Sequence, residues 1–219
     1  MNLAQAARHN PDAFLVGGVF GASVSRHHLV QEALEAKDPE KVAWMRSFIR
    51  SKGFDKSKEG YVTVDQDAVP NIIPTVGLNF ILNVLFHTTP KNSTWYHGPF
   101  TTNWVPTANA ASNWAGSTAG PLATELQADQ FTNTNRQPAS FSTGAAEGSI
   151  AASSATQITI ADGVESITVY GTTLNSTQQV NYNQTDAVLL AATRFPNPKS
   201  GLGAADVLNL SYTLTVSSV

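Results

Sequence analysis

The sequence predicts a mainly β protein, with an antiparallel β-sandwich or jelly-roll-like domain, an N-terminal helical arm and one buried helix. Within residues 207–216, apolar and polar side chains alternate strictly from Leu208 to Val216, which is the pattern of a half-buried strand. Charged residues make up only 13% of the chain, about half the usual ~25%, while 42% are hydrophobic. Neutral polar faces of this kind, with turns rather than helices between the C-terminal strands, favour an antiparallel sandwich.

Charge divides the chain near Pro70 into two predicted units. Residues 1–70 hold nine of the 13 basic and nine of the 16 acidic side chains. Residues 71–219 hold the other four basic and seven acidic side chains, and so carry the whole net charge of −3. We therefore predict an N-terminal arm over residues 1–70 and the β-sandwich domain over residues 71–219.

The arm is expected to contain a short helical pair. The apolar face of the first helix is formed by Leu29, Val30, Ala33 and Leu34, with Ser25 as its N-cap. Asp38 followed by Pro39 has the form of an N-cap and a first helical position, and Gly53 of a C-terminal stop. Residues 10–24 show no clear period, which favours a segment that becomes ordered against a neighbouring molecule.

The middle of the chain combines strand and helix patterns. Tyr61–Val64 is a short strand candidate, and Trp95 opens an aromatic strand that ends near Phe100. Thr75–Phe86 is apolar on most sides, so we expect one largely buried helix. Residues 101–148 are weakly periodic, and we expect short strands or an ordered surface excursion there.

The C-terminal third gives the clearest strand patterns. Residues 157–160 and 166–170 alternate on either side of a turn at Asp162 and Gly163. Residues 187–191 form a continuous apolar run, which indicates a strand buried on both faces. Together with residues 207–216, these segments define the predicted β domain.

The residue types and their spacing predict neither an enzyme nor a metal or cofactor site. The chain has no cysteine, and His27 and His28 are adjacent, so they would not share one helical face. Of the seven acidic residues of the β part, Asp162, Glu165 and Asp206 fall at predicted strand ends or turns, where solvated carboxylates are usual. The negative net charge argues against nucleic acid binding, and no apolar run reaches the ~18–20 residues of a membrane span. No secretory signal is evident at the N-terminus.

Six aromatic residues are the candidates for contact with a partner protein. Four lie in the predicted arm and two in the weakly periodic segment: Phe14, Phe20, Trp44, Phe48, Trp104 and Trp114. Aromatic side chains contribute large contact areas at interfaces, although in a β protein they also serve as core and loop anchors. A stacking platform for a carbohydrate is a second possible role for the two tryptophans, and it would consist of Trp95, Trp104 and Trp114 together with Tyr96 and Phe100.

Three short motifs stand out in the predicted β domain. They are Gly77-Leu78-Asn79 at the start of a helix, Trp95-Tyr96-His97-Gly98 in a strand, and the closing strand from Asp206 to Leu214. In these motifs the chain resembles a group of small structural proteins of tailed bacteriophages. The resemblance covers roughly residues 71–100 and 150–219, whereas residues 1–70 are an addition and residues 101–148 are expanded. It implies a virion location, and it implies no catalytic residues.

The leading expectation is therefore a capsid decoration (cement) protein that bridges capsid subunits on the virion surface. Its partners would be the major capsid protein or other virion proteins, with self-association as a dimer or trimer, and it would be made in the cytoplasm of the bacterial host. The alternative is a tail, fibre or head–tail connector component that contacts host surface glycans. An enzyme acting on glycans is a third possibility, and it would need two carboxylates in one cleft.

Overall fold

The computed structural model of the protein describes residues 14–52, 60–110, 114, 123–133, 135–141, 149–178 and 188–218. Within these residues the chain is mainly β, with two antiparallel sheets and three helices. The strands are β1 (Phe14–His27), β2 (Tyr61–Pro70), β3 (Tyr96–Phe100), β4 (Gln137–Pro138), β5 (Ser149–Ala151), β6 (Thr156–Thr159), β7 (Ile167–Asn175), β8 (Leu189–Leu202) and β9 (Val207–Ser218). The helices are α1 (His28–Glu35), α2 (Pro39–Lys52) and α3 (Thr75–Phe86).

The first sheet has the strand order β2-β1-β9-β5, and β6 also pairs with β9. Strand β1 pairs with β9 from Phe14 opposite Ser218 to Ser25 opposite Val207. This corrects the predicted N-terminal arm, because β1 lies inside the sheet between β2 and β9. The boundary near Pro70 stays a prediction about domains, but strands from both sides of it are hydrogen bonded in one sheet.

The second sheet has the strand order β4-β3-β7-β8, and it shares a core with the first. The largest core cluster joins Val24 of β1 and Leu208 of β9 to Val169 of β7 and Phe195 of β8. At one edge, the buried ammonium group of Lys199 in β8 contacts the Asp67 carboxylate of β2 at 2.6 Å. Side chains from both sheets thus fill the space between them. The jelly-roll-like strand order stays a prediction.

The helical pair follows the sequence prediction closely. Helix α1 begins at His28, where the Leu29 amide donates to the His27 ring at 3.3 Å, so His27 rather than Ser25 is the N-cap. Helix α2 begins at Pro39, and its Lys41 amide donates to the Asp38 carboxylate at 3.0 Å, which confirms the predicted cap. The proposed stop at Gly53 lies outside the described residues.

Helix α3 has the predicted bounds, but the prediction that it is largely buried is wrong. Its inner face packs on β8, and Gly77 is its buried residue there. A Cβ atom at Gly77 would lie 2.5 Å from the Leu190 carbonyl oxygen, so the glycine allows the helix to approach the strand closely. The opposite face carries exposed leucine and phenylalanine side chains, because one strand covers only one side of an apolar helix.

The C-terminal strands confirm the patterns from which they were predicted, and several are longer. The last three residues of the run at 187–191 begin β8, whose first five residues are buried, and Ala187 lies outside the described residues. The alternation at 207–216 falls in β9. The turn between β6 and β7 contains Gly163 with a φ of 85°. In the described part of 101–148, strand β4 and isolated bridges at Glu125 and Phe131 tie the segment to the sheets.

Candidate interaction surface

Two of the six predicted contact residues form an exposed aromatic pair on α2. Trp44 and Phe48 are 59% and 41% exposed, and their rings stack at a centroid distance of 5.5 Å with an interplanar angle of 12°. The spacing of four residues places both rings on one face of the helix. Exposed rings of this size offer contact area that a partner protein would bury.

Helix α2 is attached to the β sheets through its other face. The buried guanidinium group of Arg46 donates to the Asp206 carboxylate at 2.9 Å and to the Ala204 and Gly201 carbonyl oxygens at 3.0 and 2.9 Å. Arg26 of β1 lies 3.5 Å from the same carboxylate. Burial raises the pKa of Asp206, and the two arginines oppose that rise. These contacts hold the aromatic pair in a fixed position relative to the sheets.

A cleft of about 580 Å³ lies beside this helix, between the α1–α2 turn and the loop at 163–166. Leu34, Val42 and Val164 supply apolar walls, and Arg46 and Glu165 supply charged ones. Val42 stands two residues before Trp44 in α2, so the cleft adjoins the helix that carries the aromatic pair.

Phe20 does not belong to this surface. Its side chain is fully buried in the first sheet, where its ring lies 4.6 Å from that of Tyr212 and 6.0 Å from that of His97. The expectation of partner contact is corrected here, because the inward-facing positions of β1 fill the core. Phe14 lies in β1 opposite Ser218, and its side chain lies outside the described residues.

Trp104 and Trp114 are also core residues rather than surface rings. They stack at 5.9 Å with an interplanar angle of 9°, and both lie edge-on to Phe100. The Trp114 indole N–H donates to the side-chain oxygen of Asn175 at 2.8 Å. This corrects their assignment to partner contact and removes the stacking platform for a carbohydrate. The rings anchor the weakly periodic segment on the second sheet, which is the alternative role that aromatic residues take in β proteins.

A buried ion pair lies beside Trp114. The Arg136 guanidinium group donates to both carboxylate oxygens of Glu125, at 2.5 and 2.8 Å, and lies 5.8 Å from the centre of the Trp114 ring. Burial raises the pKa of Glu125, and Arg136 opposes that rise. Both carboxylate oxygens are occupied in this pair, so the geometry is that of a structural clamp between two loop segments.

The outward face of α3 is a second exposed apolar surface. Leu78, Leu82, Leu85 and Phe86 are 39%, 51%, 66% and 77% exposed. Sequence reasoning missed these residues as contact candidates. The signal was present in a helix apolar on most sides, since a single sheet covers only one of those sides.

The described residues contain no group of three His, Cys, Asp or Glu side chains that could hold a metal ion. His27 and His28 stack on each other at 4.7 Å, and His97 is fully buried in the core near the Phe20 ring. Among the same residues, no helix is both long enough and apolar enough to cross a membrane.

No protein-family model matches the chain, and no curated protein matches it.

Proposed function

We propose that the protein is a bacteriophage virion structural protein that decorates the capsid and bridges its subunits. Its two sheets form an antiparallel β-sandwich of jelly-roll-like type, and its partner is the major capsid protein at the virion surface. The protein is made in the host cytoplasm and has no catalytic role. The resemblance of its helix and closing strand to small phage structural proteins supports this proposal.

The exposed Trp44–Phe48 pair is the observation on which the proposal depends. Tryptophan is enriched among the residues that dominate binding energy, because a large rigid ring loses little conformational entropy on binding. Arg46 fixes the helix from its opposite side, so the pair is held ready for contact. A prepositioned surface lowers the entropy cost of association.

A decoration protein can function with a small contact surface on each copy. Each copy binds a repeated site, and a copy that touches two capsid subunits gains from their fixed separation. Modest contacts per copy therefore stabilise a whole shell. The low charge of the chain limits repulsion between neighbouring copies on that shell.

The experiment measures binding of the purified protein to particles that lack it. The double variant Trp44→Ser and Phe48→Ser removes both rings from an exposed surface, so it should fold like wild type. We expect its apparent affinity for particles to fall by about 30-fold or more, as for loss of an interface hot spot of ~2 kcal/mol. Particle sedimentation followed by quantification of the bound protein gives this affinity.

The matched control is Val62→Ser on β2, which removes an exposed apolar side chain elsewhere. This variant should bind particles like wild type. Equal binding of the double variant and wild type would contradict the proposal, provided that circular dichroism shows both to be folded.

A tail, fibre or head–tail connector component remains the alternative. It would use the same aromatic pair at a few positions on the particle. Contact with host glycans through Trp104 and Trp114 has no support, because both rings are buried. The position of the protein on the particle separates these two functions.

A further inference from the structure

The outward face of α3 is apolar, and no residue of the helix itself is charged. Its four exposed apolar side chains lie next to one another along the helix: Leu78, Leu82, Leu85 and Phe86. The opposite face is occupied by β8, against which Gly77 packs. A contiguous exposed cluster of this kind marks an interaction site, whereas single exposed leucines are common on any surface.

Charge indicates what kind of partner fits this face. The chain has no Asp, Glu, Lys or Arg from Ala68 to Pro90, although its net charge is −3. Nucleic acids and anionic membrane surfaces are bound through basic side chains, which this stretch does not offer. The net charge of −3 makes two copies of the chain repel each other weakly, and an uncharged face is where they can meet without adding to that repulsion.

The polar groups of the face are self-complementary. Asn79 and Asn83 are exposed on the same side of the helix as Leu82. A carboxamide both donates and accepts hydrogen bonds, so it can pair with an identical group. A two-fold interface requires this property, because the same patch is used by both subunits. Carboxylate or ammonium groups at these positions would repel their own copies.

The spacing of the leucines also suits helix-to-helix packing. Leu78, Leu82 and Leu85 follow each other at intervals of four and three residues, which is the spacing of a coiled-coil seam. The helix of 12 residues is about 18 Å long, and Leu82 lies near the centre of its exposed face. Two helices that cross at Leu82 would each cover the leucines of the other.

Two further exposed apolar side chains flank the first turn of α3. The Thr75 amide donates to the Ala108 carbonyl oxygen at 2.9 Å, which places the loop containing Val105 near the start of the helix. Val105 and Ile72 are exposed, and they line one shallow pocket together with Arg194. A single helix pair with these additions is small for a stable interface, so we expect a micromolar rather than a nanomolar dimer.

We propose that two copies of this chain associate through α3, about a two-fold axis near Leu82. The proposal concerns a different surface from the Trp44–Phe48 pair and does not depend on the virion function. It leaves the aromatic pair of each copy free for another partner.

The test is sedimentation velocity of the purified full chain from about 1 to about 100 μM, a range that brackets a micromolar Kd. We expect the wild-type mass to rise with concentration towards two chains of 23.3 kDa. Leu82→Glu places two carboxylates together at the axis and should weaken dimerisation at least tenfold. Val216→Glu, on an exposed valine of β9, is the matched control and should dimerise like wild type.

Charge complementation makes the test specific for a second copy. Leu82→Glu and Leu82→Lys should each be monomeric alone and should pair when mixed, because opposite charges then meet at the axis. Failure of this mixture to pair would overturn the proposal. A wild-type protein that stays monomeric over the whole range would also overturn it, as would a Leu82→Glu variant that dimerises like wild type. Binding of a monomeric wild type to neutral phosphatidylcholine vesicles, lost in Leu82→Glu, would assign the face to lipid instead.

Discussion

At the residue scale, the tryptophans show which information the sequence lacks. Trp44 and Trp114 were predicted as contacts on the same grounds, yet one is exposed and the other is 1% exposed. The position of Trp114 depends on Asn175, 61 residues further along the chain, which accepts the hydrogen bond of its indole. The local sequence pattern around Trp114 does not indicate a contact with a residue so far along the chain. Only the helical spacing of Trp44 and Phe48 was available from the sequence.

Buried charged residues are also difficult to recognise from the sequence. Arg26 takes an inward position of β1, where it reaches Asp206 and the Ser200 carbonyl oxygen. An arginine at an inward position breaks the apolar alternation by which strands are recognised. The ion partners are far apart in sequence, so neither residue could be assigned to the core from its neighbours.

His97 leads to a prediction about pH. Its ring is fully buried, and neither ring nitrogen has a hydrogen-bond partner among the described residues. Burial lowers its pKa from 6.5 to about 3. The unfolded chain therefore binds a proton below pH 6.5 that the folded chain does not, so stability falls as the pH drops from 6.5 towards 3. At pH 5 we expect a loss of roughly 2 kcal/mol from this residue.

Urea unfolding of wild type and His97→Leu at pH 7 and pH 5 measures this loss. The variant removes no hydrogen bond, so it should lose about 2 kcal/mol less than wild type between the two pH values. His87→Leu, which replaces an exposed histidine by the same residue, controls for the change of residue type. Equal pH dependence of wild type and His97→Leu would show that His97 does not titrate as the structure implies.

At the element scale, the ends of a helix were easier to predict from the sequence than its burial. Thr75–Phe86 was predicted to the residue, because its apolar run is flanked by Pro74 and by the polar His87-Thr88-Thr89 segment. Its burial was predicted wrongly, since an apolar helix can be covered either by its own fold or by a partner. The sequence pattern is the same in both cases.

Strand β1 was missed for a different reason. Gly17, Gly18 and Gly21 interrupt its pattern, and glycine is depleted in strands. Gly18 is required there by packing, since a Cβ atom would lie 2.4 Å from the Tyr212 hydroxyl group of β9. A close approach between strands that are distant in sequence thus explains a glycine that locally suggests a flexible segment.

The packing of α3 on β8 gives a prediction with a clear sign. Gly77→Ala would gain about 1 kcal/mol of helix propensity, yet its Cβ would lie 2.5 and 2.9 Å from two backbone carbonyl oxygens of β8. Helix and strand must move apart, so we expect a net loss of about 1–3 kcal/mol in the free energy of unfolding. Urea denaturation measures this value.

Asn79→Ala in the same helix is the matched control for Gly77→Ala. Its side chain is exposed, so the gain in helix propensity should leave stability unchanged or raise it slightly. If Gly77→Ala is stabilised as much as Asn79→Ala, the close contact between α3 and β8 is not present in solution.

At the scale of the whole molecule, the two compositions of the chain meet in one sheet. Strand β1 lies between β2 and β9, so the described parts of residues 1–70 contribute two strands to the β structure. The same region supplies α2, which Arg46 fixes to the Gly201–Asp206 turn. A deletion of residues 1–60 would remove β1, a strand that is paired on both sides. Point substitutions on the exposed faces are therefore the appropriate probes.

Counting and locating the protein on purified particles tests the central claim most directly. A gold or fluorescent label at the C-terminus, imaged by electron or single-particle microscopy, gives both values. Decoration predicts many labels distributed over the whole head, and their number should fall when Trp44 and Phe48 are both replaced by serine. A few labels confined to one vertex would contradict decoration and favour the tail or connector function, and particles without any label would contradict a virion role.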